Sequence, residues 1–208
     1  MKPLSECHLY GIIDTGYVVR DRIAAVTAHL LAGGIDLIQL RAKKESKEEI
    51  LAMASLIAPI CLEAGVAFIL NDYPELVTEA GASGAHVGQE DLSVAEARAL
   101  AGPGAIIGKS THSLEQALNA ATEEPDYIGF GPLFATPTKP DYIPIGTEQI
   151  REVHSLLNLP VFCIGGIKLS NLPEILNAGA RRVVIVSDLL QAPNPAEQTA
   201  ACKALFTR

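Results

Sequence analysis

Short apolar runs recur along the chain and alternate with longer segments in which apolar and polar residues mix. Runs that are apolar throughout, without a polar residue at every second position, are typical of parallel strands covered on both faces. We therefore predict eight parallel strands, at His8–Ile13, Leu37–Leu40, Ala67–Leu70, Gly84–Val87, Ala105–Gly108, Tyr127–Phe130, Val161–Ile164 and Val183–Val186.

The segments between the runs carry signals for the start and end of helices. Ser46-x-x-Glu49, Ser93-x-x-Glu96 and Ser113-x-x-Gln116 match the capping box, in which two side chains bind the first amides of a helix. Gly65 lies where a helix would end before the third strand. Eight strand–helix units of roughly 25 residues predict an α/β fold, a single (β/α)8 TIM barrel over residues 1–208. A doubly wound open sheet is the alternative.

Composition and charge exclude several classes of protein. The chain is 49% hydrophobic and 19% charged, which excludes a disordered polymer. The longest apolar region, residues 24–40, is broken by His29, two glycines and Asp36, so we expect no membrane span. The net charge of −8 argues against binding to nucleic acid or to an anionic membrane surface.

The cysteines predict buried thiols and no metal cluster. Cys7, Cys61, Cys163 and Cys202 are far apart, and no C-x-x-C pair occurs. The first residues contain no apolar signal core, so we expect a cytoplasmic protein.

In a TIM barrel, functional groups follow the strands at their carboxyl ends. After the second strand, Gln39, Arg41 and Lys43 alternate onto one face, and together they suit a phosphate or diphosphate. The alternative is that they form ion pairs on the rim with Glu45 or Glu48.

Two carboxylates follow the third and fourth strands. Asp72 and Asp91 could share one Mg²⁺, which is usually held by one or two carboxylates together with substrate phosphates. The alternatives are a turn at Asp72 and a helix cap at Asp91. His86 is expected to be a hydrogen-bonded strand residue and no metal ligand.

The later loops offer further phosphate ligands. Ser110 could reach the mouth of the barrel, whereas His112 is either a general base or a supporting residue. The loop after the sixth strand is long, which is typical of functional loops. It supplies Thr136, Thr138 and Lys139.

The loops after the seventh and eighth strands form the frequent phosphate site of TIM barrels. Gly166 would allow the backbone to approach a phosphate there, beside Val186 and Ser187. Together, the loops predict two phosphate-binding regions and a site for one divalent cation. This combination suits an enzyme that joins a diphosphate to a monophosphate.

These motifs, in this order, resemble the thiamine-phosphate synthase (thiamine-phosphate diphosphorylase) family over nearly the whole chain. The matching segments are Gln39-x-Arg41-x-Lys43, Asn71-Asp72, His86-Val87-Gly88-Gln89-Glu90-Asp91, Ser110-Thr111-His112, Thr136-x-Thr138-Lys139 and Ile164-Gly165-Gly166-Ile167. The resemblance implies a TIM barrel and a Mg²⁺-dependent transferase. Its reaction would join 4-amino-2-methyl-5-pyrimidinylmethyl diphosphate to thiazole ethyl phosphate, giving thiamine phosphate and diphosphate.

The resemblance also implies roles for individual residues. It implies that the pyrimidine diphosphate binds Gln39, Leu40, Arg41, Ala42, Lys43, Asn71, Ser110 and Lys139. It implies that the thiazole phosphate binds Thr136, Pro137, Thr138, Gly166, Val186 and Ser187. Asp72 and Asp91 resemble the Mg²⁺ ligands, and Arg41, Lys43, Ser110 and Lys139 resemble the catalytic groups. Ala42 departs from the acidic or polar residue that is common in the family, but its side chain should face away from the substrate.

Two alternatives to the synthase remain at this point. One is a thiazole tautomerase on the same barrel, and the other is a phosphate-ligand sensor without catalytic activity. The complete set of diphosphate and metal residues favours the synthase over both. A homo-oligomer is compatible with the sequence.

Overall fold

The computed structural model of this protein describes residues 1–136 and 143–207. Eight parallel strands close into a barrel in chain order, each hydrogen-bonded to the next and the eighth to the first. The predicted TIM barrel is therefore confirmed. The strands are β1 Leu9–Asp14, β2 Leu37–Arg41, β3 Ala67–Asn71, β4 Gly84–Val87, β5 Ile106–Thr111, β6 Tyr127–Phe130, β7 Val161–Cys163 and β8 Val183–Ile185.

The helices surround the barrel but do not alternate strictly with the strands. The α-helices of the described residues are α1 Ile23–Ala32, α2 Lys47–Ala64, α3 Val94–Ala101, α4 Leu114–Ala121, α5 Ile150–Leu156, α6 Leu172–Asn177, α7 Ser187–Leu190 and α8 Pro195–Ala204. The prediction of a helix after every strand is wrong between β3 and β4. There, the short connection holds only a 3-10 helix, Pro74–Leu76. β8 is instead followed by two helices. No helix among the described residues has the length and apolar character needed to cross a membrane.

Local sequence signals position the helix ends as predicted, with one exception. Ser46 and Ser93 each form the complete capping box, and Gly65 ends α2 in the left-handed conformation at φ 66°. Ser113 accepts from the amide of Gln116, but the Gln116 side chain accepts from the amide of His112 and not from that of Ser113. In the third capping box, the contact of the Gln116 side chain is thus made with the residue before Ser113.

The strands separate two apolar layers because successive side chains point to opposite faces. In β1, Leu9 and Ile13 pack against the helices, whereas Tyr10 and Ile12 fill the interior of the barrel. Every residue of β1 is buried, which explains why the strand is apolar up to its last residue, Asp14.

β5 continues beyond its apolar run. Its predicted end was Gly108, but Ser110 and Thr111 still pair with β6. A polar side chain is tolerated there because the upper interior of the barrel opens into a cavity. Ser110 is therefore held on a strand and not on a loop, which determines its position more tightly.

At the amino ends of the strands, Asp36 joins three parts of the chain. Its carboxylate accepts from the backbone amides of His8 and Leu9, and from the ammonium groups of Lys2 and Lys203. Burial alone would raise the pKa of this carboxyl, but these donors outweigh burial and lower it from 3.8 to about 2. Asp36 thus ties the amino terminus and α8 to the closed end of the barrel.

We expect Asp36→Asn to reduce the free energy of unfolding at neutral pH by about 1–2 kcal/mol. Since the pKa is lower in the folded state, the stabilisation is complete above about pH 5 and disappears as the pH falls from about 4 to about 2. Urea unfolding of both proteins at about pH 7 and about pH 3 measures this difference. Asp21→Asn, which changes an exposed carboxylate by the same charge, is the control and should have little effect. If Asp36→Asn lost the same free energy of unfolding at both pH values, the stabilisation would not come from the ionised carboxylate of Asp36.

Candidate active site

A cavity of about 90 Å³ opens at the carboxyl ends of the strands. This volume is several times that needed for one water molecule. Its lining includes Tyr10, Ile12, Asp14, Gln39, Arg41, Asn71, His86, Ser110, Thr111, His112, Tyr127, Gly129, Gly131, Pro132, Thr136, Phe162, Ile164, Gly165, Gly166, Ile167, Val184, Val186 and Ser187. Every strand contributes to it, so the cavity lies where a TIM barrel carries its functional groups.

Eight of the residues predicted for the site line this cavity. They are Gln39, Arg41, Asn71, Ser110, Thr136, Gly166, Val186 and Ser187. Pro137, Thr138 and Lys139 were also predicted, and they lie outside the described residues. Lys43, Asp72 and Asp91 were predicted as well, but they are not among the lining residues. Residues from both predicted phosphate-binding regions therefore face one space, with β2, β3 and β5 on one side and the loops after β7 and β8 on the other.

Two predicted substrate-binding residues direct their side chains elsewhere. Leu40 and Ala42 are buried in the layer between the barrel and the helices, because they alternate with Gln39 and Arg41 along β2. Only their backbone could contact a substrate. The side chain of Ala42 faces away from the cavity, as we expected from its alternation with Arg41.

The cations after β2 pair with aspartates and not with the glutamates considered above. The Arg41 guanidinium forms an ion pair with Asp14, which is almost completely buried at the end of β1. Register explains this contact, since Arg41 lies directly beside Asp14 in the pairing of β1 with β2. Lys43 is half exposed and forms an ion pair with Asp72. The alternative pairing of these cations with Glu45 or Glu48 is therefore wrong.

The two predicted metal ligands are each held by their own loop. Asp72 follows β3 in a left-handed conformation at φ 68°, and its amide donates to the carbonyl of His86 on β4 at 2.9 Å. The Asp91 carboxylate accepts from the amide of Gly88 at 2.6 Å, while the cap of α3 is Ser93. The helix-cap alternative for Asp91 is therefore wrong, and its carboxylate instead stabilises the loop after β4.

This loop after β4 is anchored to β5. The Gln89 side chain donates to the carbonyl of Ser110, and the ammonium of Lys109 donates to the carbonyl of Leu92 at 3.2 Å. Lys109 is only 4% exposed, and Glu123 lies 3.9 Å from its ammonium. A buried charge that contacts a backbone carbonyl is costly to release, so Lys109 restrains the loop that carries Asp91.

On the other side of the cavity, Gly165 and Gly166 make close packing of two loops possible. Both residues have positive φ, at 99° and 64°. A Cβ on Gly166 would lie 2.7 Å from the Cβ of Phe134 and 3.0 Å from the carbonyl oxygen of Ala135. The pair of glycines thus allows the loop after β6 to lie directly on the loop after β7.

The loops after β7 and β8 are joined by one carboxylate. Asp188 accepts from the amide of Leu169 at 2.9 Å and from the Gln198 side chain at 2.8 Å. Immediately before Asp188, Val186 is the N-cap of α7 and Ser187 is its first residue. The backbone on this side of the cavity is therefore held in place by hydrogen bonds at both of its ends.

The two histidines of the cavity both make hydrogen bonds. His86 contacts the Tyr127 hydroxyl at 3.0 Å and the Ser110 hydroxyl at 2.9 Å, as expected for a hydrogen-bonded strand residue. His112 donates from Nδ1 to the carbonyl of Gly131 at 2.6 Å. This contact ties β5 to the start of the loop after β6, which agrees with a supporting role for His112.

Sequence reasoning missed Asp14, Tyr10 and Tyr127. Tyr10 and Tyr127 lie at the base of the cavity, and burial raises the pKa of both phenols, so both remain protonated at neutral pH. Asp14 follows Tyr10 and Ile12 at every second position of β1. That spacing identifies the face of the strand, but it does not show which cation the carboxylate meets.

Comparisons with known proteins point to one family. The family model described as thiamine monophosphate synthase matches residues 9–189. A thiamine-phosphate synthase of Shouchella clausii is 40% identical over 193 residues, which is 92% of this chain and 91% of that protein. A thiamine-phosphate synthase of Thermus thermophilus is 44% identical over 171 residues, covering 81% of this chain and 82% of that protein.

A solved structure agrees with these relatives. Thiamine phosphate pyrophosphorylase from Pyrococcus furiosus superposes with a TM-score of 0.88 at 28% identity. The superposition covers 99% of this chain and 98% of that one.

We expect Gly166→Ala to lower the free energy of unfolding by about 2–4 kcal/mol, because strain in φ adds to a clash with the loop after β6. Gly104→Ala is the matched control, since Gly104 also has positive φ, at 83°, but a Cβ there would meet nothing within 4 Å. Gly104→Ala should lower the free energy of unfolding by only about 1 kcal/mol. Urea unfolding measures both, and equal losses would show that the close packing contributes nothing.

Proposed function

Because the chain belongs to the thiamine monophosphate synthase family, we propose that it joins 4-amino-2-methyl-5-pyrimidinylmethyl diphosphate to thiazole ethyl phosphate. It is a transferase and a thiamine-phosphate synthase of thiamine biosynthesis. The products are thiamine phosphate and diphosphate. The four cysteines are free and buried, which supports a reducing compartment such as the cytoplasm.

One observation carries the proposed pair of substrates. The cavity brings Arg41, Asn71 and Ser110 together on one side with Gly166 and Ser187 on the other. The first group offers a guanidinium, an amide and a hydroxyl, which suit a diphosphate and the ring attached to it. The second offers backbone and a hydroxyl beside the loops after β7 and β8, where TIM barrels frequently bind a phosphate. Two phosphorylated molecules would thus meet between these groups.

The donor chemistry of the site fits Mg²⁺. Asp72 and Asp91 offer the hard oxygen ligands that Mg²⁺ prefers, and the described residues contain no group of three or more His, Cys, Asp or Glu that could hold a metal ion by themselves. We propose that these two aspartates hold Mg²⁺ together with the substrate diphosphate and water. The bound ion would neutralise part of the charge on the departing diphosphate.

The remaining catalysis would come from positioning and electrostatics. Three cations would neutralise the negative charge that develops on the leaving diphosphate. They are Arg41, which Asp14 holds in place, Lys43 and Lys139. The bond between the methylene carbon and the diphosphate oxygen breaks, and the pyrimidine ring delocalises the positive charge. The thiazole nitrogen then donates its electron pair to the methylene carbon. No side chain needs to form a covalent bond.

The first test is turnover by the purified chain with both substrates, with and without Mg²⁺. We expect thiamine phosphate and diphosphate in equal amounts, and only when Mg²⁺ is present. Tight binding of ligands without product would indicate a sensor, and isomerisation of the thiazole phosphate alone would indicate a tautomerase. Either of these results would contradict the proposed synthase.

We expect Asp91→Asn to lower the rate on the order of 100-fold at limiting Mg²⁺, because the amide keeps the contact with the Gly88 backbone but loses the charge. The matched control is Glu90→Gln, which removes the same charge from the exposed neighbouring residue and should change the rate little. His112→Ala should reduce the rate far less than Asp91→Asn, because it removes a supporting contact. Steady-state rates against Mg²⁺ concentration measure all three. If Asp91→Asn and Glu90→Gln had equal effects, Asp91 would not be a metal ligand.

A further inference from the structure

A continuous chain of hydrogen bonds crosses the interior of the barrel at the base of the cavity. The Gln39 side-chain amide donates to the Tyr10 hydroxyl at 2.6 Å, and this hydroxyl lies 3.0 Å from that of Tyr127. The Tyr127 hydroxyl lies 3.0 Å from Nδ1 of His86, and Nε2 of His86 lies 2.9 Å from the Ser110 hydroxyl. The three middle residues have no part in the function proposed above, yet they connect two residues that do.

The donor and acceptor roles along this hydrogen-bond chain depend on one another, because each hydroxyl has only one proton. With Gln39 donating to Tyr10 and a single ring proton on His86, a consistent arrangement has Tyr10 donating to Tyr127 and Tyr127 donating to Nδ1 of His86. In this arrangement the ring proton of His86 lies on Nε2. His86 therefore donates to Ser110, whose own proton turns away from His86. A half-turn of the Gln39 amide would reverse every one of these bonds, so the orientations of Gln39 and Ser110 depend on each other.

The surroundings hold this chain in place. Tyr10, Tyr127 and Phe162 are at most 1% exposed, and their rings meet edge to face with centroids 5.5–5.9 Å apart. Gly108 lies between His86 and Tyr127 in the pairing of β4, β5 and β6. A Cβ on Gly108 would lie 2.2 Å from Cζ of Tyr127 and 2.5 Å from Nδ1 of His86. The missing side chain on β5 is thus what allows the two rings to touch.

The base of the cavity therefore combines flat aromatic walls with polar groups whose orientations depend on one another. Gln39 and Ser110 both line the cavity, at opposite ends of the chain. A ring with an amino group and ring nitrogens needs an acceptor at one edge position and a donor at another. A partner turned the wrong way would leave a buried polar group unpaired, and this costs about 1–3 kcal/mol.

We propose that Tyr10, Tyr127 and His86 are positioning residues that set the donor and acceptor pattern of Gln39 and Ser110, and that this pattern selects a nitrogen heteroaromatic ring. The inference rests on the proposed function, in which that ring is the aminopyrimidine half of the diphosphate substrate. It assigns selection of the ring to the hydrogen-bond chain, and binding of the diphosphate to Arg41 and its neighbours.

Tyr127→Phe and Tyr10→Phe test the proposal, because each removes one hydroxyl and keeps the ring. We expect each to weaken binding of the pyrimidine diphosphate about tenfold and to leave the affinity for inorganic diphosphate within about twofold. Titration calorimetry with each ligand in the presence of Mg²⁺ measures both constants. The double variant should lose less than the product of the two single losses, because both residues act through one chain.

The control is Thr27→Val, which removes a buried hydroxyl that donates within α1 to the carbonyl of Ile23 and does not line the cavity. Thr27→Val should leave both affinities unchanged, even if it lowers the melting temperature as much as the tyrosine variants do. In turnover, the tyrosine variants should raise KM for the pyrimidine diphosphate more than they lower kcat, as expected when an interaction is equal in the ground and transition states.

The proposal is overturned if both tyrosine variants bind the pyrimidine diphosphate as tightly as the unchanged chain does. It is also overturned if the variants lose as much affinity for inorganic diphosphate as for the pyrimidine diphosphate. The hydrogen-bond chain would then support the whole site and not select the ring. Failure of the proposed function is a separate result, because it would appear as a lack of thiamine phosphate formation by the unchanged chain.

Discussion

Closure of eight parallel strands into one barrel is the constraint on which the rest of this structure depends. Because all strands run in the same direction, their carboxyl ends meet in one mouth, and residues far apart in sequence become neighbours. Register sets which of them touch. Asp14 lies beside Arg41, and His86, Gly108 and Tyr127 lie side by side across three strands. The ion pair and the hydrogen-bond chain of the cavity both follow from that register.

The distribution of charge reconciles an acidic protein with phosphorylated substrates. Several acidic residues are exposed on the outer surface, among them Glu48, Glu63 and Glu124. At the mouth, Arg41 and Lys43 are held by Asp14 and Asp72, so each cation is positioned before a ligand arrives. A net charge of −8 therefore describes the surface of the molecule and not its cavity.

Rigid strands and anchored loops divide the tasks of the site. Gln39 and Ser110 lie on strands, where the hydrogen-bond chain restrains them, whereas Asp91 lies on a loop that Lys109 ties to β5. Strand residues suit recognition of a flat ring, because their positions are set by the barrel itself. The proposed diphosphate ligands come from both strands and loops, since Arg41 lies at the end of β2 and Asp91 lies on a loop.

Local patterns in the sequence were enough to predict the eight strands, both ends of α2, the start of α3 and eight residues of the cavity. Apolar runs, capping residues and the order of motifs along the chain depend only on neighbouring positions. The missing helix before β4, the extension of β5 to Thr111 and the partners of Arg41 could not be read in this way. They depend on which strands lie side by side and on how much room the barrel leaves between them. Sequence by itself determined the chemistry available to this protein, and the register of the closed barrel decided which groups touch.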